Sequence, residues 1–326
     1  MNGFRLSQLA SAVALSLCAG SALAQFSNTI FFGDSLTDNG SFKPLFPGGG
    51  GLFTTNPGPV WAQFFAEHYG FDAHPANQVG TDYAQGGARV SDKPGVPNQA
   101  PTGNALPIAD QVGEFLQIAT FDPDALYSVW GGANDIFYQL GALQAGAITQ
   151  PQLQANVATA AVQLVQQVGI LQAAGARYVM VWNVPDIGKT PFGQASGNAA
   201  GISAITALYN STLMAGLDQL GGNVIRLDVS KLLTEIIANP GAYGIANVTT
   251  PACGATPSLV CTSANFVTPD AASSYLFADG VHPTTAGHMA LAQFAESFID
   301  GPARMAVLAE APLAIEAANF RAVDAR

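Results

Sequence analysis

The stretch Asn28-Thr29-Ile30-Phe31-Phe32-Gly33-Asp34-Ser35 decides the fold. A short apolar run that breaks at glycine suits a buried strand. Similar runs recur at 79–84 and 125–130, each leading into glycines, and again at 177–182 and 223–229. Helical patterns lie between them. Pro59 opens one with Val60, Trp61, Phe64 and Phe65 on one face, closed by Gly70. Residues 151–174 place Leu153, Val157, Leu164, Val168 and Leu171 at helical spacing, with Gly175 as the stop. Further helical segments fall near 200–219, 230–238 and 284–298. Such alternation predicts an α/β chain with a parallel sheet covered on both faces. Neither an internal repeat nor a linker precedes residue 302, so one domain is expected over residues 25–302.

Residues 1–24 stand outside that domain. Arg5 gives a positive start, residues 9–17 an apolar run, and Ala22-Leu23-Ala24 a small-residue cleavage site. This is the pattern of a signal peptide, with Gln25 opening the mature chain. The apolar run is far short of the roughly 20 residues that span a bilayer. Cys18 follows Leu17, where a lipid-modified leader usually needs a small residue. The expected location is therefore secreted or periplasmic, with no integral membrane segment after cleavage. Loss of Cys18 leaves Cys253 and Cys261, which in an exported chain read as a disulfide closing a small loop. The loop-entropy argument assigns such a ring about 2.5 kcal/mol. A metal site would need further His or Cys ligands at suitable spacing, and none lies nearby.

Apolar residues make up 49% of the chain and charged residues 10%, with a net charge of −11. The apolar share provides for a substantial core. Nucleic acid demands a basic footprint that this chain lacks, and charge alone gives no attraction to anionic lipid. Solubility accounts for the acidity. Four consecutive glycines at 48–51 are not followed by Gly-Lys-Ser/Thr, so 41–58 is a surface loop and not a phosphate cradle.

Four segments sit where strands should end, the place where α/β sheets bind ligands. They are Phe31-Phe32-Gly33-Asp34-Ser35-Leu36-Thr37-Asp38-Asn39-Gly40, Asp82-Tyr83-Ala84-Gln85-Gly86-Gly87-Ala88, Trp130-Gly131-Gly132-Ala133-Asn134-Asp135 and Asp279-Gly280-Val281-His282-Pro283. Together, in this order, they resemble the signature blocks of the GDSL, or SGNH, hydrolase family. One Gly-Asp-Ser-Leu tetrapeptide would be weak; four ordered blocks over 31–283 are specific. The resemblance implies a three-layer α/β/α sandwich with a flavodoxin-like sheet and hydrolysis of carboxylic esters, small or lipid. It also implies Ser35 as nucleophile, Asp279 and His282 as its partners, and an oxyanion hole from Ser35, Gly87 and Asn134.

Chemistry agrees with those assignments. A serine hydroxyl needs a base, and histidine suits that task near neutral pH. Asp279 precedes His282 by three residues, so one loop can deliver both, with Asp279 on Nδ1 and Nε2 left to face Ser35. Pro283 keeps His282 out of helical conformation. The oxyanion needs donors placed in advance: the backbone amides of Ser35 and Gly87 and the side-chain amide of Asn134. The G-x-S-x-G elbow of α/β-hydrolases is absent. No metal or cofactor is implied, and the chain is expected to act as a monomer.

Plainer roles compete for some of these residues. Standing alone, Ser35 would read as a helix N-cap, and Asn134 as a turn residue. Asp34, Asp38 and Asp135 read as loop and cap residues, Trp61, Phe64 and Phe65 as core. Neither His68 nor His74 has an Asp-x-x before it, and His288 falls inside the last helix in a structural position. Phe42, Leu45, Phe46, Leu52 and Phe53 are candidates to line an acyl site. Residues 303–326 look like a helical tail interrupted by Pro312, resembling the linker that precedes the barrel in GDSL autotransporters. No alternating ten-residue strands follow here to build a barrel. A lipid acyltransferase or phospholipase using the same residues, or a non-catalytic surface binder, would be the rival functions.

Overall fold

The computed structural model describes residues 26–96 and 102–310. The expected signal peptide and the end of the tail, 311–326, lie outside the described residues. Four strands form a parallel sheet in the order β1 (Thr29–Gly33), β2 (Leu126–Trp130), β3 (Tyr178–Trp182) and β4 (Val224–Leu227). Gly33, Trp130, Trp182 and Leu227 lie in one row of the register, so the strands end together. Residues 81–85 run along the free side of β1: Phe31 and Gln85 donate to Thr81 and Gly33, and Tyr83 donates to Phe31. The sheet itself has four strands, and this segment, which makes only single bridges, occupies the edge position that a second strand holds in the flavodoxin-like order 2-1-3-4-5.

The helices in chain order are α1 (Trp61–His68), α2 (Ile108–Ile118), α3 (Ala133–Gln144), α4 (Gln150–Ala174), α5 (Pro191–Ala195), α6 (Ala199–Leu220), α7 (Val229–Ala238), α8 (Ala271–Ser274) and α9 (Thr285–Glu310). Alternate strand residues face opposite sides. Phe31, Trp130, Met180 and Trp182 pack under α1, α7 and α9. Ile30, Phe32, Tyr127, Val129 and Val181 pack under α2, α3, α4 and α6. The Trp130 and Trp182 rings stack at 4.5 Å, and Trp61 of α1 closes on Trp182 at 4.4 Å. Helix α4 is long and apolar enough to cross a bilayer, but its Leu153, Val157, Leu164, Val168 and Leu171 stripe is fully buried against the sheet. It is a core helix.

Three expectations shift. The run 79–84 is no strand: Val79 turns left-handed at φ 64°, and only single bridges form at Asp82. The Asp82 carboxylate accepts from the amides of Asn39 and Ala84, so local turns replace a ladder. Helices α2 and α3 fall in stretches to which the sequence reading assigned no element, although Ile108, Val112 and Phe115 of α2 stand at helical spacing and are buried. The last helix continues past residue 298 to Glu310. Pro302 gives up one ladder hydrogen bond inside this helix, while Ala-Arg-Met-Ala-Val-Leu-Ala-Glu after it is rich in helix formers.

Candidate active site

The aligned strand ends bring three of the four sequence blocks to one edge, and the loop before α9 reaches the same place. Ser35 sits one residue past Asp34 in the turn that leaves β1. His282 Nε2 is 2.9 Å from Ser35 Oγ. On the other side of the ring, Nδ1 is 2.9 and 2.8 Å from the two oxygens of Asp279. One tight loop delivers both residues, because Ala278 donates to the His282 carbonyl at 2.7 Å and Asp279 Oδ1 accepts from the Val281 and His282 amides. Phe53 lies against the His282 ring at 5.2 Å. Ser35 and His282 are buried apart from a narrow mouth. Burial alone would raise the Asp279 carboxyl; the facing His282 charge and hydrogen bonds from His282 and Ser258 outweigh it and hold Asp279 well below the usual carboxylate range.

Among the described residues the backbone N–H groups of Ser35 and Gly87 have no acceptor, which is what an anion-binding pair needs. Gly87 has φ 86°, and a Cβ there would come within 2.8 Å of Thr102 and the Val96 carbonyl, so only glycine fits. Asn134 is the second residue of α3 and lines the same cleft as Ser35 and His282. Its amide donates one hydrogen to the Ala88 carbonyl at 3.0 Å, which fixes the side chain and leaves the second hydrogen for a ligand. Ser35, Asn134 and His282 thus line one cleft with Asp279 behind His282, and Gly87 lies in the neighbouring turn that Asp38 ties to the Ser35 turn.

The acids around them serve the loops. Asp38 accepts from the amides of Gly40, Ser41 and Gly86 and so ties the Ser35 turn to the Gly86-Gly87 turn. Asp135 holds the Val90 amide and the buried Arg89. Burial pushes its carboxyl up to about 6 against the pull of the Val90 amide and Arg89. Asp34 takes the Leu36 amide with one oxygen, while the other is buried without a partner among the described residues. Burial pushes Asp34 up to about 7, with the Leu36 amide and His282 acting in the opposite direction. His288 is structural: it accepts from the Trp61 amide and lies 3.3 Å from the Phe53 carbonyl, and burial lowers it to about 3.

Sequence reasoning missed Ser258. Its amide donates to Asp279 Oδ2 at 2.9 Å, and its hydroxyl lies 3.1 Å from His282 Nδ1. It sits inside the loop closed by the Cys253–Cys261 disulfide. The only signal available was that enclosure.

Two clefts meet at the site. The first holds Ser35, Asn134 and His282. The second is apolar, lined by Trp130, Leu232, Ile236, Leu276, Phe277 and Leu291, and shares Leu36, Pro185, Thr190 and Val281 with the first. Its cavity volume is about 50 Å³. None of Phe42, Leu45, Phe46, Leu52 and Phe53 lines either cleft. Leu52 and Phe53 are buried in packing and Leu45 faces solvent, because this loop folds back on its own apolar residues.

Esterase EstA of Pseudomonas aeruginosa is 31% identical over 91% of this chain and 50% of its own length. Lipase 1 of Photorhabdus luminescens is 26% identical over 92% of this chain and 54% of its own. The chain thus spans about half the length of the first curated relatives it matches. The crystal structure of a lipolytic G-D-S-L family protein from Veillonella parvula aligns at 15% identity with a TM-score of 0.45, over 83% of this chain and 96% of that one. The profile of GDSL-like Lipase/Acylhydrolase matches residues 30–294, from the first strand to the last helix. That span takes in every block quoted above, and the chain belongs to the GDSL-like lipase/acylhydrolase family.

Proposed function

We propose that this chain is a serine esterase or lipase that hydrolyses carboxylic esters through an acyl-enzyme on Ser35. One observation carries the reading: a histidine Nε2 lies 2.9 Å from the Ser35 hydroxyl while a carboxylate faces its Nδ1. Ser35 Oγ attacks the ester carbonyl carbon as His282 takes its proton, and Asp279 stabilises the resulting imidazolium. The carbonyl oxygen becomes an oxyanion held by the Ser35 and Gly87 amides and by Asn134. His282 then gives the proton to the departing alcohol, leaving the acyl group on Ser35. Water attacks that ester with His282 again as base, releasing the acid and restoring Ser35.

The acyl chain takes the apolar second cleft, which opens from the first past Leu36 and Val281. Short to medium acyl chains, extending to lipid esters, are the substrate class. Residues 25–302 form the hydrolase domain, residues 303–326 follow it as a tail, and residues 1–24 direct export to a secreted or periplasmic location. Acyl transfer to an alcohol is the second reading. It is favoured by 24% identity to a phosphatidylcholine-sterol acyltransferase of Aeromonas hydrophila, over 88% of this chain and 94% of that one. A fluorophosphonate probe tests the shared first half: wild type should label covalently and Ser35→Ala should not, with melting unchanged. Labelling of the alanine variant would move the nucleophile elsewhere.

A further inference from the structure

The Asp279–His282 pair needs more than proximity. A carboxylate rotates about its Cβ–Cγ bond, and an imidazole held only by it can follow that rotation away from Ser35. Both oxygens of Asp279 face Nδ1, and each is held from a different side. Asp279 Oδ1 is fixed locally by the amides of Val281 and His282. Oδ2 has no such local donor and takes the amide of Ser258, 21 residues earlier, at 2.9 Å. The Ser258 hydroxyl flanks the same imidazole nitrogen at 3.1 Å. Ser258 is itself buried, so water does not compete for either contact.

The loop bearing Ser258 is anchored on every side. The Cys253–Cys261 disulfide closes it, and Cys253 donates to the Ala278 carbonyl at 2.9 Å, which registers the ring on the segment leading into Asp279. Asn56 Nδ2 donates to the Ser258 carbonyl at 2.8 Å, and the Gly51 amide to the Leu259 carbonyl at 2.7 Å. Neither the ring nor the 51–56 segment touches Ser35 directly by a hydrogen bond among the described residues. Their shared product is the place of Ser258.

We infer that Ser258, presented by the disulfide-closed loop, is a positioning residue: its amide on Asp279 Oδ2 and its hydroxyl beside His282 Nδ1 bracket the Asp279–His282 contact, and the hydroxyl helps to aim the imidazole at Ser35. This rests on the esterase reading for its kinetic consequence, but the contact itself can be read without any substrate. Ser258→Ala deletes the hydroxyl while keeping the amide. It should lower kcat about tenfold, the weight of roughly one net hydrogen bond, with KM little changed. In the Asp279→Asn background the same substitution should cost less than about twofold, because its route of action is already broken. An unchanged kcat, or an equal loss in both backgrounds, would overturn the inference. The His282 Nδ1 proton resonance, followed by NMR in full-length wild type and Ser258→Ala, gives the substrate-free reading. Displacement or exchange broadening in the variant is expected; an identical resonance defeats the inference. Should the wild type hydrolyse no ester while the resonance still moves, the esterase reading fails and the positioning role stands.

Discussion

Asp279 presents both carboxylate oxygens to a single atom, Nδ1 of His282, at 2.9 and 2.8 Å. Such a symmetric grip leaves one tautomer of the imidazole favoured, with its proton on Nδ1 and an unprotonated Nε2 toward Ser35. Asp279→Asn replaces one acceptor by a donor and favours the wrong tautomer. Turnover should fall by about 10⁴-fold with the fold retained, as in other serine triads. Stopped-time hydrolysis assays alongside circular dichroism check this; near-wild-type turnover would remove Asp279 from the mechanism.

Asn134 has one amide hydrogen committed to the Ala88 carbonyl and a second with no acceptor among the described residues, the one the proposed mechanism uses. Asn134→Ala should cost about 10²–10³ in kcat, the usual weight of one such donor, with a smaller effect on KM. Wild-type turnover in the variant would leave Asn134 as a turn residue only.

Asp34 supplies a pH signature. Its folded-state pKa is raised from 3.8 to about 7, so the native chain keeps a proton that the unfolded chain has released. The stability it contributes is therefore complete below about pH 4 and is lost as pH rises through 7. Asparagine cannot ionise. The melting temperature of wild type relative to Asp34→Asn should be highest near pH 4 and decline toward pH 8. A difference that stays constant across that range would mean that Asp34 is ionised throughout.

The second cleft makes a claim about chain length. Ile236 lines it on α7, away from Ser35. Ile236→Phe should cut rates on acyl chains of about eight carbons or more by roughly tenfold and change acetate hydrolysis little, given the weight of one or two methylenes in an apolar pocket. A panel of p-nitrophenyl esters reads this directly. Equal loss at every length would place the acyl chain elsewhere.

The sequence made some of this visible and hid the rest for physical reasons. The grouping of Ser35, Asp279 and His282 was legible because each sits in a short block, and their side chains do meet within hydrogen-bond distance. The strands were legible as apolar runs because both faces of the sheet are covered. Segment 79–84 misled because Val79 and Tyr83 imitate a strand while the buried Asp82 carboxylate organises turns. Ser258 was invisible because its partners lie 21 and 24 residues away and no periodic pattern surrounds it. The cleft lining was invisible too: Phe53 reads as an acyl contact in sequence, yet it packs on His282.

The hydrogen bond between His282 and Ser35 joins positions 247 residues apart. Contacts of that separation are the slow ones to form, since the entropy of closing so long a loop is lost before anything rewards it. A ribosome-bound chain that has not yet released residue 282 carries a serine with no base, and is chemically silent. During refolding, secondary structure and burial of tryptophan should recover before ester turnover does. Chemistry is then the final reporter of folding.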